Sequence, residues 1–149
     1  MIASPKTRLL AHLGISFALA TLTACSGMTS APRPAADAHL VLSGAQEVPA
    51  VATSAAGTAR LTVAADGAVS GSVMTTGLAG TAAHIHIGAA GVNGPVIVPL
   101  TKTGEGVWTV PPGARLNDEQ MKAYRAGGLY VNVHSDANKG GEVRAQLKP

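Results

Sequence analysis

The sequence predicts an all-β fold, a sandwich or barrel of about eight short strands with one short helix. Three observations lead there. From His39 onward apolar and polar residues alternate in short runs, the period-two signature of strands with one buried face. Clusters of Gly, Pro, Asn and Asp fall between those runs. Bulky core-fillers are scarce: the 149 residues include one Trp, two Tyr and one Phe, although 46% are hydrophobic. That length suits a single domain packed with small aliphatic side chains.

The strand candidates run in order. His39–Ser43, Thr58–Val63 and Val69–Met74 come first, the last two joined by Asp66-Gly67, the clearest tight-hairpin signal. Ala82–Ile87, Pro95–Leu100, Gly106–Val110, Leu129–His134 and Glu142–Leu147 complete the set. One segment breaks the alternation. Leu116–Gly127 offers Asn117 as an N-cap, acids in the first turn, Arg125 in the last turn and Gly127 as a stop, so it predicts a short helix laid over the sheet. Met121 and Tyr124 are read there as packing residues.

The N-terminus has a different character. Residues 1–24 carry Lys6 and Arg8, no acid, and an apolar run from Leu9 to about Leu22. A charged start, a short apolar stretch and small residues make a secretory signal peptide, and the run is too short to span a bilayer. Leu22-Thr23-Ala24-Cys25 resembles the lipobox of bacterial lipoproteins, which implies cleavage before Cys25 and lipidation of its thiol. Ser26 after the Cys resembles lipoproteins sent to the outer membrane, facing the periplasm or the cell surface. Residues 25–38, with two prolines and no apolar period, read as a lipidated Cys and flexible tether. The domain proper is expected over 39–149.

Charge and cysteine content narrow the function. The chain is formally +3, with eleven basic and eight acidic residues. Removal of Lys6 and Arg8 with the signal leaves nine basic residues against eight acids, so no acidic partner follows. No basic patch with interleaved aromatics exists, and a nucleic-acid partner is not expected. A single Cys excludes an intramolecular disulfide and any multi-thiolate metal site. Imidazole and carboxylate are then the available strong ligands.

Side chains two apart on a strand share a face. His84 and His86 therefore project together, opposite Ile85 and Ile87, with Cα atoms about 6.5–7 Å apart. In Tyr130-Val131-Asn132-Val133-His134 the valines take the core, leaving Tyr130, Asn132 and His134 on the other face. Three histidines in the polar parity of strands make a candidate metal set, His84, His86 and His134. Imidazole suits Cu, Zn, Fe and Ni, so ligand type leaves the metal open. Glu47 or water is the candidate fourth ligand, with Asn132 and Glu142 supporting the ligands from behind. Other chemistry has little support: Ser43 and Ser135 lie in no Gly-x-Ser-x-Gly elbow, and Gly88–Gly94 precedes Pro95 rather than a helix.

Five blocks carry a family resemblance. Leu42–Pro49, Ala83–His86, Asn93–Val96, Tyr130–His134 and Gly140–Leu147 stand in order and resemble the CHRD domain, the module named after its repeats in the animal secreted protein chordin and common in bacterial exported proteins. The likeness spans about residues 38–148 and implies a Greek-key β-sandwich, with little said of function.

A fainter likeness concerns mechanism. Strand, Asp-Gly hairpin, His-x-His, late Val-x-Val-His and Gly-Glu-x-Arg resemble the layout of copper/zinc superoxide dismutase. That resemblance implies copper on His84, His86 and His134, with Arg144 guiding a small anion to an open position. It departs in two respects that matter. With a single Cys, the disulfide of that family is missing. No histidine lies between His86 and His134, so the bridging ligand and zinc subsite of that family are missing. At most a mononuclear, superoxide dismutase-like copper activity follows, and no catalytic residue is assigned beyond Arg144. The leading expectation is a lipid-anchored domain binding one metal ion, copper favoured and zinc left open. The rival is a metal-free module contacting an envelope protein or polymer.

Overall fold

The computed structural model describes residues 36–149; the expected signal segment, Cys25 and the tether up to residue 35 lie outside them. The strands are β1 (Ala36–Ser43), β2 (Ala56–Val63), β3 (Val69–Thr76), β4 (Gly80–Ile87), β5 (Val96–Pro99), β6 (Thr101–Gly104), β7 (Val107–Thr109), β8 (Leu129–Ser135) and β9 (Val143–Leu147). A 3-10 turn, Gly44–Gln46, follows β1, and the helix α1 spans Asp118–Arg125 between β7 and β8.

All pairings between these strands are antiparallel, in the order β5-β4-β8-β9-β1-β2-β3-β7-β6. The two ends of that order, β5 and β6, are separated by a single residue, Leu100. The sheet therefore curls on itself into a flattened, nearly closed barrel. At the Leu100 corner the chain leaves β4 and joins β7, and Lys102 ties the gap by donating from Nζ to Gly80 O at 2.9 Å. On the opposite rim β9 meets β1 through the single pair Ser43–Arg144. Two leaves result, β5-β4-β8-β9 and β1-β2-β3-β7-β6. The β3–β4 and β7–β8 connections cross from leaf to leaf, which gives the Greek-key pattern.

Alternation explains the core. Leu42, Ala59, Leu61, Val73, Ile85, Val131, Val133, Val143 and Leu147 are buried between the leaves, with Trp108 the largest filler. Closing the sheet removes most unpaired edges, which suits a chain with few large aromatics. The helix forms where expected. Asn117 accepts from Gln120 N at 2.9 Å while the Gln120 side chain accepts from Asn117 N, a capping box, and Gly127 follows at φ 70°. Leu116, Met121 and Tyr124 are buried beneath it. The strands number nine rather than eight. The extra one, Thr-Lys-Thr-Gly, is exposed throughout, and with no apolar residue it leaves no period to read.

Candidate metal centre

The outer face of the β5-β4-β8-β9 leaf is polar, and register arranges it in rows. Pro99, His84, Asn132 and Arg144 form one row; Val96, His86, Tyr130 and Gln146 form the next. His134 pairs with Ala82, one step along β8. The loop 88–95 and the segment after β1 fold over this face, so residues of surface type are buried there. His86 is 7% exposed and Glu47 6%, whereas His84 and His134 are half-buried.

The three imidazoles come together. His84, His86 and His134 each present a nitrogen within 4.8 Å of the other two, the one such metal-competent group among the described residues. His84 Nδ1 and His134 Nε2 lie 3.0 Å apart. Two cis ligands at metal–N distances near 2.0–2.1 Å stand about 2.9–3.4 Å apart, so this pair is already spaced for an ion.

Backbone carbonyls fix two of the rings. His86 Nδ1–H donates to Gly94 O at 2.9 Å and His134 Nδ1–H to Lys139 O at 2.9 Å. A carbonyl oxygen can only accept, so each neutral ring holds its proton on Nδ1 and presents a lone pair at Nε2. A carbonyl behind the ring is how metal-binding imidazoles are commonly oriented, because it fixes both the tautomer and the direction of the lone pair. His84 Nδ1–H then donates to His134 Nε2, and one proton sits where two nitrogens converge. His86 Nε2 is buried without a hydrogen-bond partner.

The electrostatics favour the neutral form of His84 and His86. Burial, and then the neighbouring His134 and His86, hold His84 below the usual imidazole range. Burial is also the main cause for His86, outweighing the Gly94 carbonyl that acts the other way. Neutral imidazole is the ligating form.

The other expected residues divide. Asn132, opposite His84 in the register, lies beside His86 and Glu47, yet its Oδ1 is buried without a hydrogen bond. Glu47 Oε1 is likewise unpartnered, and burial pushes its carboxyl up to about 7 against the pull of Arg144. Gly141 lies against both: a Cβ there would sit 2.4 Å from Glu47 Oε1 and 2.6 Å from Asn132 Nδ2. Glu142 is turned to other work. Its oxygens accept from Ser135 Oγ and from Thr53 Oγ1, the latter at 2.7 Å, pinning the segment before β2 to the β8–β9 turn. The Ser135 hydroxyl is the main reason its carboxyl lies below the usual range.

Arg144 is 1% exposed. Its guanidinium lies 3.4 Å from the Tyr130 ring centroid and donates to Asn93 Oδ1 and Val92 O at 3.0 Å. It faces the loop, and an anion-guiding role would need it open to solvent. Tyr130 itself stacks on His86, 4.7 Å between centroids and 6° between planes. Sequence reading places Tyr130 on this face without a role, and it misses Gly94 and Lys139, which act through backbone oxygens. The Asn93-Gly94-Pro95 block was the available signal.

Fold and site together define a Greek-key β-domain with three histidines gathered on one covered face. The family follows directly: residues 38–147 match the model of the CHRD domain, and the chain belongs to that family. No curated protein and no solved structure matches the chain.

Proposed function

We propose that this CHRD domain binds a single transition-metal ion through His84 Nδ1, His86 Nε2 and His134 Nε2, with copper favoured and zinc the alternative. The observation that carries the reading is the buried, unpartnered His86 Nε2, whose lone pair direction is set by the Gly94 carbonyl. A buried acceptor without a donor is costly, and a cation at that point would relieve it. The unpartnered Asn132 Oδ1 and Glu47 Oε1 nearby add oxygen donors for a fourth position. Bound copper would supply one-electron chemistry. The protein's own part is to hold neutral nitrogens in place and to keep the ring beneath them dry.

The sequence adds an address to this reading. A signal-like N-terminus and a lipobox-like Leu-Thr-Ala-Cys support an exported chain held to the outer membrane through lipid on Cys25. Holding, storing or delivering a metal at the envelope is the function proposed, with superoxide chemistry a narrower version of it. Loading the exported protein with Cu(II) and comparing it with His84→Ala tests the site. The wild type should take up one copper with a nitrogen-rich paramagnetic spectrum, and equal copper content and spectra in both would overturn the proposal.

One observation favours a second reading, a metal-free interaction module for an envelope protein or polymer. His84 and His134 satisfy each other at 3.0 Å without any ion. A partner captured equally well with and without chelator would support it.

A further inference from the structure

Arg144 occupies an unusual place for a permanently charged side chain. It sits on β9, two strands from the His84–His86 pair, and is almost completely enclosed. Its guanidinium has two kinds of contact. On one side it lies over the Tyr130 ring at 3.4 Å, and Tyr130, on the intervening strand β8, is itself stacked on His86. Its edge donates to three acceptors of the covering loop: Asn93 Oδ1 and Val92 O at 3.0 Å and Ala89 O at 3.4 Å. Asn93 passes the hold onward by donating from Nδ2 to Val48 O at 2.6 Å.

The residue after Asn93 is Gly94, whose carbonyl receives the His86 Nδ1 proton and whose N–H donates to the Tyr130 hydroxyl at 3.1 Å. Gly94 also packs so closely on β4 that a Cβ would fall 1.7 Å from Ile87 O. The carbonyl that orients His86 thus belongs to a strap, and Arg144 grips that strap next to the orienting residue.

We infer that Arg144 is a positioning residue for the metal centre: by holding the 89–93 segment and bearing on Tyr130, it fixes His86 as the Nδ1–H tautomer with Nε2 free. This rests on the proposed metal site for its purpose, though not for its geometry. An Arg suits the role because its planar fork serves several acceptors while its face stacks on an aromatic ring. A Lys at this position keeps the charge and loses the fork.

The test separates the strap from the metal. In the metal-stripped, ¹⁵N-labelled exported protein, two-bond ¹H–¹⁵N correlations report which nitrogen of His86 carries the proton. Wild type should show Nδ1–H at His86. Asn93→Ala, an exposed loop change with little risk to the core, and Arg144→Lys should both show mixed tautomers at His86 while His134 stays Nδ1–H. Cu(II) affinity should fall about 10–100-fold in each, as when a hydrogen bond that orients a ligating imidazole is lost. A wild-type His86 protonated on Nε2, or an unchanged tautomer in the folded Asn93→Ala protein, would overturn the inference. Should wild type take up no metal while the tautomers shift as described, the positioning stands and the metal proposal falls.

Discussion

His84 and His134 share one proton across 3.0 Å, and a metal ion at that point must displace it. Binding is therefore a competition with protons. Because burial holds His84 and His86 below the usual imidazole range, Cu(II) affinity should persist as pH falls to about 6.5 and decline below it. Copper titrations across pH 5–8 check this; affinity already falling between pH 8 and 7 would contradict it.

Glu47 carries the opposite sign. Its folded carboxyl titrates near 7 against an ordinary 4.5, so between those values the folded state holds a proton that the unfolded chain has released. Stability from this group is complete below about 4.5 and is lost as pH rises through 7. For His84 and His86 the unfolded chain binds more protons, so their contribution is lost as pH falls below about 6.5. The two trends offset each other near pH 6. Glu47→Gln removes one of them, and the metal-free variant should gain stability more steeply with pH than wild type from 5 to 7.5. Above pH 7.5 it should be more stable by on the order of 1–2 kcal/mol. Denaturant melts at stepped pH decide it, and parallel curves would refute the burial argument for Glu47.

At the scale of elements, the covering loop and the β8–β9 turn explain what could and could not be read in advance. Strand parity places His84, His86 and His134 on one polar face, since that depends on local alternation alone. Which strands lie side by side depends on β4 pairing with β8, a contact 50 residues apart that no local pattern contains. The exposed β6 has no apolar period and escapes notice. Arg144 escapes for a different reason: an Arg in polar parity reads as solvated until a loop folds over it. The carbonyls of Gly94 and Lys139 carry no residue-type signal at all. The loop also sets a steric limit. Gly94→Ala drives a Cβ into Ile87 O and should cost about 2 kcal/mol or more, with Cu(II) affinity lowered through loss of the His86 contact. Thermal melting with copper titration measures both. A variant with wild-type melting and affinity would show that the loop is not held as described.

Across the whole molecule, one curled sheet does the work of two packed leaves. Its weakest links are the rims, the single Ser43–Arg144 pair and the Leu100 corner. The strand β6, paired along one side with β7 and exposed throughout, should exchange its amide protons far faster than the central strands β2 and β8. Hydrogen exchange by mass spectrometry reads this directly, and equal protection would mean that the barrel closes more tightly than its pairing indicates. Closure also bears on the site, because Arg144 belongs both to that sparse rim and to the clamp over His86.

The central claim is that three imidazoles on this closed face hold one metal ion. Elemental analysis of the protein taken from its native cells, isolated without metal-affinity resin, tests it most directly alongside His86→Ala. The proposed function predicts close to one copper or zinc per wild-type chain and almost none in the variant. A metal-free wild type, or equal metal in both proteins, would contradict the claim.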